Sequence, residues 1–208
     1  MVLESHFGQK IKLLSKKFIF PINFSKLLFR RRSRRIFSEK LISLKDISHL
    51  LRLSYGKVKI GENYFSTVPS AGAIYPLHIY ILSLNTELEN GIYHYYFTND
   101  WVDKIKTDSN LWQKIKELVY GSNLEGIPNF YLCITVDFEE LTAKYGERGY
   151  RFALIEGGHL GQNIMLVAES MNLNIVGLGG YYDKALAKLI NINYQNEKII
   201  YVMAVGKI

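Results

Sequence analysis

The sequence predicts an α+β fold, a sheet with helices packed against it, and three observations lead there. Four runs rich in β-branched and aromatic residues read as strands: LHIYILSL (77–84), GIYHYYF (91–97), YLCITVDF (131–138) and KIIYVMAVG (198–206). Segments of helical period stand between and around them. The two kinds are mixed without a regular βαβ alternation, which points away from a doubly wound parallel sheet.

The helices follow in chain order. In SLKDISHLLRLSYG, Ser43 and Asp46 resemble a capping pair, and Leu44, Ile47, Leu50 and Leu51 form one face. Gly56 is expected to end this helix in a left-handed conformation. SNLWQKIKELVYG (109–121) is amphipathic, and DKALAKLINI (183–192) is a short helix before the last strand. The longest pattern, YRFALIEGGHLGQNIMLVAESM (150–171), contains Gly157, Gly158 and Gly161. A glycine inside a helix costs about 0.5–1 kcal/mol relative to alanine. Three in one stretch predict a close approach, either within the chain or across a subunit interface.

With 208 residues, 48% of them hydrophobic, the chain can bury one sizeable core or two small ones. No linker or repeat divides it, so one domain is expected over residues 31–208, preceded by a basic arm over residues 1–30. No apolar run is long enough to span a membrane, and no secretory signal is evident. Cys133 is the only cysteine, set in an apolar strand. That excludes an internal disulfide and a cysteine-based metal cluster and fits a reducing, cytoplasmic compartment. Residues 1–37 carry ten Lys/Arg against one acid, Glu4, while the rest of the chain is close to neutral. The partner of that segment is expected to be anionic. Nucleic acid is disfavoured, because the body adds no positive excess and no aromatics interleave the arginines.

Three stretches could carry chemistry. RRRSRRIF (30–37) offers forked guanidinium donors and one serine hydroxyl, the donor set of a phosphate site, or else a solvated basic face. PSAGA (69–73) leaves the backbone almost bare before a strand, as a tight turn or as a seat for a planar ligand. AKYGERGYRF (143–152) sets Lys144 beside Tyr145, a pair that could act as base and proton relay if the lysine were desolvated. The alternative is a surface segment with Glu147 and Arg148 as solvated charges. VGLGGYY does not fit the dinucleotide fingerprint, and the five histidines show no metal spacing. No phosphate-binding GxxxxGK[ST] loop and no GxSxG elbow occur.

In this order, RRRSRRIF, SLKDISHLL, PSAGAIYPLHIYIL, GIYHYY, KYGERGYRFALIEGGHLGQNIMLVA and IIYVMAVG resemble the FMN-dependent nitroreductases, specifically their SagB/McbC-type branch. The resemblance covers residues 27–206. It implies a central, mostly antiparallel sheet flanked by helices, in an intertwined homodimer with FMN at the subunit interface. It also implies oxidation of azoline rings in a ribosomally made peptide, with a cyclodehydratase partner. Carried over by position, Arg31, Arg32, Ser33 and Arg35 would hold the flavin phosphate. Pro69, Ser70, Ala71, Gly72 and Ala73 would border the ring from the partner subunit. Ala73 stands where the broader family usually has an asparagine. Gly177, Leu178, Gly179 and Gly180 would approach flavin N5, and Lys207 is the one basic residue near the C-terminus available to the phosphate. Lys144 and Tyr145 match the branch's catalytic pair. The rival readings are an NAD(P)H-dependent nitro or quinone reductase of the same fold, and a non-catalytic binding module using the basic arm.

Overall fold

The computed structural model describes residues 9–14 and 23–208. Its elements are β1 (Lys10–Lys12), α1 (Phe24–Arg30), α2 (Leu44–Tyr55), the hairpin β2 (Lys57–Ile60) and β3 (Asn63–Ser66), then β4 (Leu77–Ser83), β5 (Gly91–Tyr96) and β6 (Trp101–Thr107). They continue with α3 (Leu111–Leu118), β7 (Phe130–Asp137), α4 (Glu139–Tyr145), α5 (Arg148–Ser170), β8 (Asn174–Leu178), α6 (Asp183–Ile190) and β9 (Glu197–Gly206).

The described residues form a seven-stranded sheet in the order β1-β6-β5-β4-β7-β9-β8. Every neighbouring pair in it is antiparallel. The four strands expected from composition are its centre. β4, β5 and β7, and β9 from Val202 onward, are nearly free of solvent on both faces, which is why they read as continuous apolar runs. On one face Leu77, Ile79 and Ile81 meet Ile47, Leu50, Leu51 and Tyr55 of α2 and Ala153, Leu160 and Ile164 of α5. On the other, Tyr80 and Leu82 share a second core with Leu111 and Ile115 of α3 and Leu186 and Ile190 of α6. Each fully buried aliphatic side chain contributes about 1.5–3 kcal/mol. Cys133 is fully buried in the second core, and burial pushes its thiol up to about 12, so it packs as a small hydrophobe.

Of residues 1–30, the basic arm of the sequence reading, residues 1–8 and 15–22 lie outside the described residues. Lys10–Lys12 pairs with β6 as an edge strand, and α1 packs against α5. Ser43 caps α2 as expected, its Oγ accepting from the Asp46 N–H at 3.1 Å. Gly56 does not take the left-handed turn. Its backbone is extended (φ −96°, ψ 160°), and an added Cβ there would run into the Arg52 carbonyl. The residue is small because the chain folds back against the last turn of α2.

Candidate functional site

Pro69 to Ala73 lead from the β2–β3 hairpin into β4 through a short 3-10 turn at Ala71–Ala73. The Asn163 side-chain amide on α5 donates to the carbonyls of Ser54 and Thr67, both at 3.3 Å, fixing the approach to this loop. Within it, Ser70 Oγ accepts from the Tyr75 N–H at 2.9 Å. Gly72, Ala73 and Tyr75 have φ values of +63°, +55° and +53°. Left-handed conformations at two non-glycine residues cost energy, and here they keep the Gly72 and Ala73 backbone exposed.

This loop meets the Lys144-Tyr145 pair. A Cβ on Gly72 would lie 2.5 Å from Lys144 Nζ and 2.5 Å from Tyr145 Oη. Within the chain, the lack of a side chain at Gly72 is therefore accounted for by the ammonium and the phenol that approach it. The pair ends α4. Gly146 (φ +57°) then turns the chain, and α5 can cross closely because Gly149 abuts the Leu141 backbone. The Tyr145 ring packs edge-on against Phe152, with centroids 5.1 Å apart, and Lys144 Nζ lies 5.5 Å from the Tyr145 centroid. Lys144 is exposed and Tyr145 half-buried, so burial within one chain does not desolvate the lysine as the sequence reading required.

Beneath the loop lies a group that the sequence reading missed. Glu156 on α5 is 2% exposed, and neither carboxyl oxygen has a hydrogen-bond partner among the described residues. Burial raises its pKa to about 7. The Ser70 and Tyr55 hydroxyls face it without meeting ordinary hydrogen-bond geometry and pull the other way more weakly. The signal was available in the helical period: Gly149, Ala153, Glu156, Leu160 and Ile164 share one buried stripe.

The second cluster surrounds Tyr201 of β9. A Cβ on Gly161 would lie 2.6 Å from its ring, one on Gly177 would overlap its hydroxyl, and one on Gly157 would sit 2.5 Å from Ile200. These helix glycines thus answer to close packing within the chain, while Gly158 is exposed with open space around it. Burial raises the Tyr201 phenol above its ordinary pKa, and the Arg31 cation opposes that rise, bringing Arg31 to the same cluster. Gly177 and Leu178 close β8. Gly179 is open, and Gly180 is pinned by Tyr120, whose N–H donates to its carbonyl at 2.9 Å.

The five arginines of RRRSRRIF divide by role. Arg30 (3.2 Å) and Arg34 both pair with Glu169, which is 3% exposed, and so tie this segment to α5. Arg31, Arg32 and Arg35 form no ion pair among the described residues, and Ser33 is exposed. The Arg32 guanidinium donates to the carbonyls of Phe29 and Arg31, at 3.0 and 2.8 Å. Lys207 is committed elsewhere: its ammonium pairs with Asp46 at 2.9 Å. Burial would raise the Asp46 carboxyl, but Lys207 and Ser43 outweigh it and hold the group below its ordinary range. Lys207 is therefore not carried forward as a phosphate ligand.

The fold is that of a family of oxidoreductases. The nitroreductase family model matches residues 28–207, and the chain belongs to that family. It is 32% identical over 187 residues to the nitroreductase-family protein MJ1384 of Methanocaldococcus jannaschii, covering 89% of this chain and 91% of that one. It is 28% identical to the microcin B17-processing protein McbC of Escherichia coli, covering 95% of this chain and 78% of that one. Among solved structures, the E. coli microcin synthetase McbBCD complex with truncated pro-MccB17 bound matches with a TM-score of 0.74 and 29% identity, over 93% of this chain and 75% of that one. A structure from Anabaena variabilis matches the fold with a TM-score of 0.81 at 24% identity, over 97% of this chain and 42% of that one. The chain is an oxidoreductase of the nitroreductase family, on its SagB/McbC-type branch.

Proposed function

We propose that this protein is an FMN-dependent dehydrogenase that oxidises azoline rings in a ribosomally made peptide to azoles. The observation that carries the reading is the contact of the bare Gly72 loop with Lys144 and Tyr145, together with likeness to McbC along nearly the whole chain. The residues fit the cofactor. Arg31, Arg32 and Arg35 are cations not consumed by ion pairs among the described residues, as a phosphate requires. Ser70 to Ala73 and Gly179 to Gly180 present backbone groups that a flat ring could meet.

Bound FMN would supply the two-electron acceptor, with molecular oxygen as the final oxidant, leaving as hydrogen peroxide. The chain's own task is the proton. Lys144 or Tyr145 takes the acidic proton beside the azoline nitrogen as the adjacent carbon gives up hydride. The ring thereby loses two electrons and two protons and becomes aromatic. Gly72 lets both groups reach the loop's surface, and a positioned base of this kind contributes typically 10²–10⁴-fold.

The active species on this reading is a homodimer, and Lys144 would be desolvated by the second copy. Support comes from the exposed apolar side chains Tyr150, Leu154 and Ile155 on α5 and Phe24, Leu28 and Phe29 on α1. A cyclodehydratase would deliver the azoline peptide, and the setting would be cytoplasmic. The test is the absorbance spectrum of the purified protein, release of FMN on denaturation, and loss of two hydrogens per ring from an azoline peptide. A colourless protein that also fails to take up added FMN refutes the reading. One that binds FMN and reduces nitro compounds with NAD(P)H, but leaves azolines untouched, is the general reductase instead.

A further inference from the structure

The molecule holds a second ionisable device beside the proposed base. Glu156 is buried on α5 with both oxygens unpartnered among the described residues. Two groups face it: Ser70 from the loop and the Tyr55 phenol from α2. Tyr75 and Tyr95 stand around that phenol in turn, and the Tyr55 hydroxyl also lacks a hydrogen-bond partner among the described residues. Ser70 Oγ already accepts from the Tyr75 N–H, so its own proton is free to be donated toward Glu156. Two residues on, the same loop touches Lys144 and Tyr145 at Gly72.

We propose that Glu156 is a positioning residue of this site: through the Ser70 and Tyr55 hydroxyls it sets where the Ser70–Ala73 loop lies against Lys144 and Tyr145, differently when protonated and when charged. A carboxylate only accepts hydrogen bonds, and it draws both hydroxyls toward α5. A carboxylic acid accepts less strongly and competes as a donor, which releases the loop. With the carboxyl titrating at about 7, both forms are populated near neutrality. The inference rests on the reading above in calling this the site of chemistry, but the coupling itself needs no cofactor.

The test is NMR of the full chain, without flavin, carrying ¹³C-labelled glutamate and tyrosine side chains. In the native protein a carboxyl signal, assigned by its absence in Glu156→Gln, is expected to titrate at about pH 7. The Tyr145 ring signal, assigned with Tyr145→Phe, moves with the same midpoint. Glu156→Gln abolishes that movement, and Ser70→Ala abolishes it while leaving the carboxyl titration in place. A Tyr145 signal that stays fixed while the carboxyl titrates overturns the proposal, as does one that titrates unchanged in Glu156→Gln. A protein that binds no FMN would sink the function proposed above and leave this test intact.

Discussion

Glu156→Gln should gain stability relative to its parent as the pH rises, and the size of the change follows from burial. In the native fold the carboxyl titrates at about 7, against an ordinary value of 4.5. A folded pKa above the unfolded one means that the native state binds more protons between those values. Its contribution to stability is therefore complete below about pH 4.5 and is lost as pH rises through about 7. Each pKa unit corresponds to about 1.4 kcal/mol, so between about pH 5 and pH 8.5 the parent loses about 2–3 kcal/mol that the neutral glutamine does not. The amide brings its own cost, two buried N–H donors, but that cost does not vary with pH and cancels in the comparison. Thermal unfolding followed by circular dichroism at the two pH values is the assay. For a chain of this size, the melting temperature of the variant relative to the parent should rise by about 5–10 °C from the acid to the alkaline condition. A relative melting temperature that is the same at both values would show that Glu156 is not carrying a displaced proton.

Five further substitutions separate the roles assigned to these residues. Lys144→Ala and Tyr145→Phe should each lower azoline turnover by about 10²–10⁴-fold while FMN binding, followed by flavin fluorescence, is kept. An equal loss of FMN would move the pair from chemistry to cofactor binding. Gly72→Ala forces a Cβ into a φ of +63° and against Lys144 and Tyr145. It should cost about 1–2 kcal/mol in stability, read by urea unfolding, and should lower kcat more than it raises KM. Arg34→Ala strips a cation from buried Glu169 and should cost about 2 kcal/mol, with Arg30 left as partner. Arg31→Ala should leave stability within about 0.5 kcal/mol and weaken FMN binding about tenfold. The reverse pattern would exchange the two assignments.

What the sequence revealed, and what it hid, follows from how many faces of an element are buried. The four central strands announce themselves because both faces are covered. β6, at WVDKIKT, was missed because Asp103, Lys104 and Lys106 break up its apolar pattern near the sheet's edge. β8 was not recognised as a strand, since its NIVGL run is short and lies on the edge of the sheet. The helix starts were legible from capping chemistry, as at Ser43, but Gly56 was misjudged because close approach and a left-handed turn both select glycine. At the site, residue types and spacing brought out the PSAGA loop and the Lys144-Tyr145 pair, but not that they touch. That contact depends on α4 and α5 crossing tightly at Gly149. Glu156 was hidden for another reason: a lone acid in an apolar helix is usually placed on the solvent face, and only its alignment with Ala153, Leu160 and Ile164 says otherwise.

Helix α5 also determines how the two clusters can cooperate. Successive helical residues are rotated by about 100°, so Glu156 and Gly161 stand about 140° apart, at opposite edges of the buried arc that contains Ala153, Leu160 and Ile164. The loop with Lys144 and Tyr145 lies at the Glu156 edge, and Tyr201 with Arg31 lies at the Gly161 edge. Between these edges, on the inner side, is packed core; on the outer side are exposed Leu154, Ile155 and Gly158. A single flat ligand using both clusters of one chain would have to pass around a helix about 10 Å across. Drawing one cluster from each of two copies avoids this, and complementation tests it. Mixed after unfolding, Lys144→Ala and Arg31→Ala chains should form homodimers and heterodimers in statistical proportion, half of them mixed. Each mixed dimer would carry one site with both defects and one with neither, so at FMN concentrations too low to fill the Arg31→Ala sites about a quarter of all sites should work as in the native protein. If each site is built within one chain, every site in the mixture retains a defect, and turnover stays at the level of the two parents.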